Sequence, residues 1–145
     1  MSSKFGALAA NVSESYKVVL IDPFTDQPII DKSGNPAFIE VLSADSDEGR
    51  AFDRERGVAL TRKALRRGGQ SIDDDALEQN VAKLARLTKA WHLVDPVLLE
   101  PINVECSVEN AADLYSSGGT AHIFRQVWLG ANEPANFMRR SSKIS

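Results

Sequence analysis

His92 and His122, a lone cysteine at 106, the run Asp73-Asp74-Asp75 and the turn Gly118-Gly119-Thr120 are the residues whose types could support chemistry. Neither histidine has a second histidine or a cysteine three or four positions away, so no zinc signature is present. A nucleophilic Cys106 would need a histidine base and a depressed pKa, and its place just before Ser107 supplies at most a helix N-terminus. Three consecutive aspartates on a helix point in three directions, and no D-x-D-x-D-G loop accompanies them, so their role is to favour a helix dipole. The Gly-Gly-Thr turn lacks the lysine and the preceding hydrophobic strand of a phosphate-binding loop, and reads as a helix junction. No base–nucleophile pair or metal set assembles, and the residues predict a protein without catalysis and without a cofactor.

The one charged constellation that stands out lies between Arg50 and Arg67. Arg50, Arg54, Arg56, Arg62, Lys63, Arg66 and Arg67 face only Asp53 and Glu55, a local balance of +5 in a chain of net charge −3. A solvated helix face explains most such runs, and the alternative is docking of an acidic partner. No aromatic residues are interleaved as stacking platforms and the chain as a whole is acidic, which favours a protein partner over nucleic acid.

The elements that must position these residues follow from the patterning. Residues 1–16 read as a flexible N-terminal arm. From Lys17, K-V-V-L-I-D, P-I-I-D and A-F-I-E-V-L read as strands separated by the turns D-P-F-T-D-Q-P and K-S-G-N-P, where Gly34 and Asn35 can take positive φ. Ser46 is a candidate N-cap, with Asp47 and Glu48 in the first turn of a helix that stops at Gly68-Gly69. Ser71 or Asp73 caps the next helix. In it Leu77, Val81, Leu84, Thr88 and Trp91 form one stripe, and Pro96 predicts its end near Val94. Pro101 confines the following extended segment to a sheet edge or to no sheet. Ser107 caps a third helix, and Thr120 can cap a fourth that closes at Gly130. Glu133 to Phe137 reads as a turn with one more helical turn, before a basic tail at 139–145. The stretch from Ala76 to Phe137 holds both tryptophans and is the expected core.

A length of 145 residues fits one domain, and 43% hydrophobic with 26% charged residues is an ordinary globular balance. A single cysteine excludes an internal disulfide. No apolar run approaches the roughly 20 residues of a membrane helix, and Gly6 and Asn11 interrupt any signal-peptide core. The expectation is an α+β single domain over 17–138. A small N-terminal antiparallel β-meander (17–43) packs against about four α-helices in 46–138.

Read in order, D-P-F-T-D-Q-P-I-I-D-K-S-G-N-P and A-D-S-D-E-G-R resemble the opening of many tailed-phage proteins, where a D-P-x-T-G-x-P-like turn precedes a D-S-x-x-x-R helix start. W-H-L-V, V-E-N-A-A-D-L-Y, I-F-R-Q-V and A-N-F are similar to the landmarks of phage tail assembly chaperones. The similarity covers nearly the whole chain after residue 16. It departs at Asp26, where the turn often has glycine, and in lacking W-x-G after the tryptophan. The resemblance implies a non-enzymatic protein that binds the tape-measure and tail-tube proteins in the host cytoplasm during assembly, with self-association left open and no nucleic acid or membrane partner. The alternative is a permanent virion component, such as a tail, connector or capsid-decoration protein. Gripping a long helical partner requires an exposed apolar strip rimmed by charge. Ile123, Phe124, Val127 and Trp128 with Phe137 are the expected strip, and Arg62 and Arg66 the expected rim.

Overall fold

The computed structural model describes residues 11–12, 14–66 and 76–139. It is an α+β fold in which a four-stranded antiparallel sheet carries helices on one face. The strands of that sheet are β2 (Ser15–Val19), β5 (Phe38–Leu42), β6 (Thr88–Val94) and β7 (Pro101–Ile102), in the order β2-β5-β6-β7. Two short pairs flank it: β1 (Asn11–Val12) with β8 (Met138–Arg139), and β3 (Ile21–Asp22) with β4 (Gln27–Pro28). The helices are α1 (Asp47–Arg66), α2 (Ala76–Leu87), α3 (Val108–Ser116) and α4 (Ala121–Ala131). The expected meander is present, but its central partner arrives from much later in the chain.

That partner is β6, and it corrects the expected course of the second helix. The helix ends at Leu87, and 88–94 is a strand paired with Phe38–Val41. T-K-A-W-H-L-V is rich in β-branched and aromatic residues, which suit a pleated surface. The junction is held by Thr88, whose Oγ1 donates to the Leu84 carbonyl at 2.8 Å and lies 2.7 Å from the Tyr115 hydroxyl. With its one proton directed to Leu84, Thr88 accepts from Tyr115. Burial pushes the Tyr115 phenol above its ordinary range, so it remains a donor.

Pairing places Val18 beside Ile39 and Ile39 beside Trp91. This row faces the helices and forms one core with Val81 and Leu84 of α2, Ala111 and Tyr115 of α3, and Phe124 and Val127 of α4. Lys17, Val19, Phe38 and His92 lie on the opposite face, exposed or half-buried. Helix α4 crosses close to β2, where a Cβ on Gly130 would sit 2.6 Å from Val18 Cγ2. Gln126 clips the same edge. Its amide oxygen accepts from Ile21 N at 2.7 Å, and its amide nitrogen donates to Ile21 O at 2.9 Å. A side-chain amide thus replaces a neighbouring strand.

Ser46 and Ser107 cap as expected, accepting from Gly49 N (3.2 Å) and Asn110 N (3.1 Å). The caps proposed at Ser71 and Asp73 lie outside the described residues. Thr120 stands at the start of α4 without a side-chain cap there, because its hydroxyl donates back to the Leu114 and Ser117 carbonyls. Residues 11–12 and 15–16, assigned from the sequence to an arm, are in strands. Tyr16 packs edge-on against Phe137 at 6.0 Å, and Val12 pairs with Met138.

Candidate functional site

Three surfaces stand out, and the first is a buried carboxylate paired with a half-buried imidazole. Asp31 opens the tight turn before β5, and its Oδ1 accepts from Ser33 N and Asn35 N at 2.9 Å each. Its Oδ2 lies 2.8 Å from His92 Nε2, and its side chain is 4% exposed. The Asn35 N–H first, then His92, hold this carboxyl below the ordinary range. His92 lines a shallow cavity of about 490 Å³ with Lys17, Val19, Asn35, Pro36 and Phe38, and the Lys17 ammonium sits 4.7 Å from the Phe38 ring centre. A carboxylate-oriented imidazole is part of an acyl-transfer arrangement. The cavity lining offers it no hydroxyl or thiol, and burial raises the Cys106 thiol. What the pair does in the fold is tie β6 to the 31–35 turn, 61 residues away in sequence. Among the described residues, no three His, Cys, Asp or Glu side chains converge as metal ligands.

The second surface is the β6–β7 hairpin. Asp95 organises its tip: the carboxylate accepts from Val97 N (2.8 Å) and Leu98 N (3.0 Å), and its carbonyl accepts from Leu99 N (2.8 Å). Those two N–H groups, Leu98 foremost, hold the Asp95 carboxyl low. Leu99 adopts φ +58°, an unusual conformation for a bulky side chain, and its carbonyl accepts from Lys32 N at 3.1 Å. The Trp91 indole donates to the Val104 carbonyl at 2.9 Å, anchoring the far side. On this frame Val97 is 85% exposed, and Leu98, Leu99, Ile102 and Val104 are exposed as well. Five large apolar side chains in eight positions face solvent on a hairpin closed by backbone hydrogen bonds.

The third surface is α1. It leans on α2 through ion pairs: Arg86 with Glu48 (2.6 Å) and Glu55 (3.1 Å), and Lys83 with Asp53 (3.0 Å). Glu48 and then Glu55 raise the Arg86 guanidinium further above neutrality. Arg50, Arg54, Val58, Arg62 and Leu65 are exposed. A groove of about 1010 Å³ lies at the other end of the sheet, and its lining mixes acids such as Glu14, Glu40 and Asp45 with Arg50, Lys89 and Met138. Asp47 stands where the α1 dipole favours negative charge.

The residues expected to bind a partner separate into two groups. Phe124, Val127 and Phe137 are buried in the core, and Ile123 and Trp128 are half-buried against it, with Trp128 stacked on Phe124 at 5.8 Å. They form one cluster, but one that holds the fold together. Arg62 lies exposed on α1, far along the chain from that cluster. Arg66 ends the helix, and its side chain lies outside what the structure describes. The surfaces that sequence reasoning missed are the hairpin tip and the Asp31–His92 pair. The run V-L-L between prolines was a usable signal for the first, since turn positions seldom carry bulky apolar residues. No local signal links Asp31 to His92.

Protein-family models, curated proteins and solved structures give no match to this chain. No helix among the described residues is long and apolar enough to cross a membrane.

Proposed function

We propose that this chain is a phage tail morphogenesis protein of the tail assembly chaperone type, which binds tape-measure and tail-tube proteins during assembly and catalyses nothing. The observation that carries the reading is the β6–β7 hairpin, where a rigid turn holds Val97, Leu98 and Leu99 in water. Exposed apolar clusters of this kind favour protein–protein contact, and a preorganised one binds with less ordering entropy to overcome. The sequence landmarks supply the assignment to tail assembly. Asp26 adds support: it adopts φ +57° at the turn position where the resembled proteins often carry glycine.

Co-expression with the tape-measure protein of the same phage tests the reading. The expected result is co-purification of the two chains, with at least about tenfold less capture by a Val97→Asp, Leu98→Asp variant of unchanged thermal midpoint. Absence of co-purification, or equal capture by the variant, overturns it. Abundance of the chain in purified particles, measured by mass spectrometry, would instead establish a permanent virion component.

A further inference from the structure

Helix α1 offers a second surface, and its geometry names the chemistry of what fits it. At 20 residues it is roughly 30 Å long. Gly49, Phe52, Arg56 and Leu60, all at least half-buried, mark the side turned towards the rest of the protein. At 100° per residue, Arg54, Val58, Thr61 and Leu65 fall on the opposite side, at steps of four, three and four. This is the spacing by which one helix packs along another.

Two features distinguish this row from an ordinary solvated face. Val58 is 52% and Leu65 is 77% exposed, so the seam contains large apolar side chains without a partner among the described residues. The charges are also sorted. Glu48, Asp53 and Glu55 are engaged by Arg86 and Lys83 of α2, while exposed Arg54 lies in the outer seam and exposed Arg50 and Arg62 flank it. The body of the protein engages three of the four acids of α1; Asp47 stands exposed in the first turn, and beyond it the outward side is basic.

We infer that the outer face of α1 docks an acidic amphipathic helix of a partner protein, packed lengthwise along Arg54, Val58, Thr61 and Leu65. The apolar side chains of that helix meet Val58 and Leu65, and its glutamates or aspartates meet Arg54 and Arg62. Charge complementarity selects this occupant over a basic helix, which would set like charges together along the seam. The inference rests on the proposed role in binding polypeptides and adds the surface and the charge of the bound segment.

Full-length protein titrated with two designed helical peptides provides the test. Both are about three heptads long with leucine at the seam; one carries glutamate and the other lysine at the flanking positions. The glutamate peptide is expected to bind at least about tenfold more tightly than the lysine peptide, with the gap narrowing as salt rises. Arg54→Glu with Arg62→Glu is expected to reverse the preference, and Val58→Ser to weaken binding of the glutamate peptide. The milder Arg62→Ala, which leaves fewer like charges on the helix, is expected to lower affinity about threefold should the double reversal disturb folding. Equal affinity for the two peptides, no binding of either, or binding indifferent to all three variants overturns the inference. Co-purification with the tape-measure protein is read separately. If that survives while the peptides fail, only the α1 surface is lost; if the peptides bind while co-purification fails, only the assembly role is lost.

Discussion

Helix α4 carries Phe124, Val127 and Ala131 into the core and runs so close to β2 that Gly130 leaves no room for a side chain. Helix α1 is nearly twice as long, yet it meets its neighbour α2 through Asp53, Glu48 and Glu55 and leaves Val58 and Leu65 in water. One helix is positioned by apolar packing, which is insensitive to salt. The other turns Gly49, Phe52 and Leu60 inward and is tied to α2 by partly exposed ion pairs, which contribute little and weaken as ionic strength rises. The contrast shows why an apolar strip on a helix is a poor guide to a binding face. A strip of large apolar residues such as Ile123, Phe124, Val127 and Trp128 is what a core requires first, and a thinly apolar, heavily charged helix is what remains available outside.

The largest expected break in this comparison comes from truncating each helix in turn. Phe124→Ala is expected to cost about 3–5 kcal/mol in urea unfolding, whereas Leu65→Ala changes stability by no more than about 0.5 kcal/mol. Comparable losses at the two sites would mean that α1 is part of the core. The glycines sharpen the point, because the same substitution should take opposite signs. Gly130→Ala meets Val18 and is expected to destabilise by about 1–3 kcal/mol. Gly57→Ala has nothing within 4 Å and is expected to stabilise by about 0.5–1 kcal/mol through helix propensity.

A smaller effect is expected from Arg86→Ala. It removes two of the three ion pairs to α1 and leaves Lys83–Asp53, and the expected outcome is faster proteolytic cleavage within α1 with little change in the global unfolding midpoint. In 1 M salt the wild-type protein should approach the variant's cleavage rate. The smallest effect concerns acid. Asp31 has a folded pKa below its unfolded value, so it binds fewer protons when native, and its contribution is complete above the unfolded pKa. That contribution is lost as pH falls through the folded value, in a window beginning near about pH 4. Asp31→Asn is therefore expected to flatten the acid limb of a stability–pH curve, and an unchanged limb would place the acid sensitivity elsewhere.

Much of this architecture could be read from residue types. The meander, the serine caps at 46 and 107 and the stops near Gly118 and Gly130 follow from local chemistry that needs no tertiary context. The end of α2 was hidden for a specific reason. Thr88 and Trp91 continue the helical spacing from Leu84, and the pairing shift between Glu40 and Val41 skips Lys89, which breaks the simple alternation that would have marked a strand. The surfaces were less legible than the fold. Burial of Phe124 and Val127 depends on strands far away in sequence, as does the meeting of Asp31 with His92. The strained Leu99 becomes visible only once the hairpin closes.

Hydrogen exchange on the chain, free and bound to the tape-measure protein, tests the division between a closed core and offered surfaces most directly. The account predicts slowed exchange on binding across 54–65 and 96–104, with 121–131 unchanged because it is already protected in the free protein. New protection confined to 121–131, with 54–65 and 96–104 exchanging as before, would contradict it.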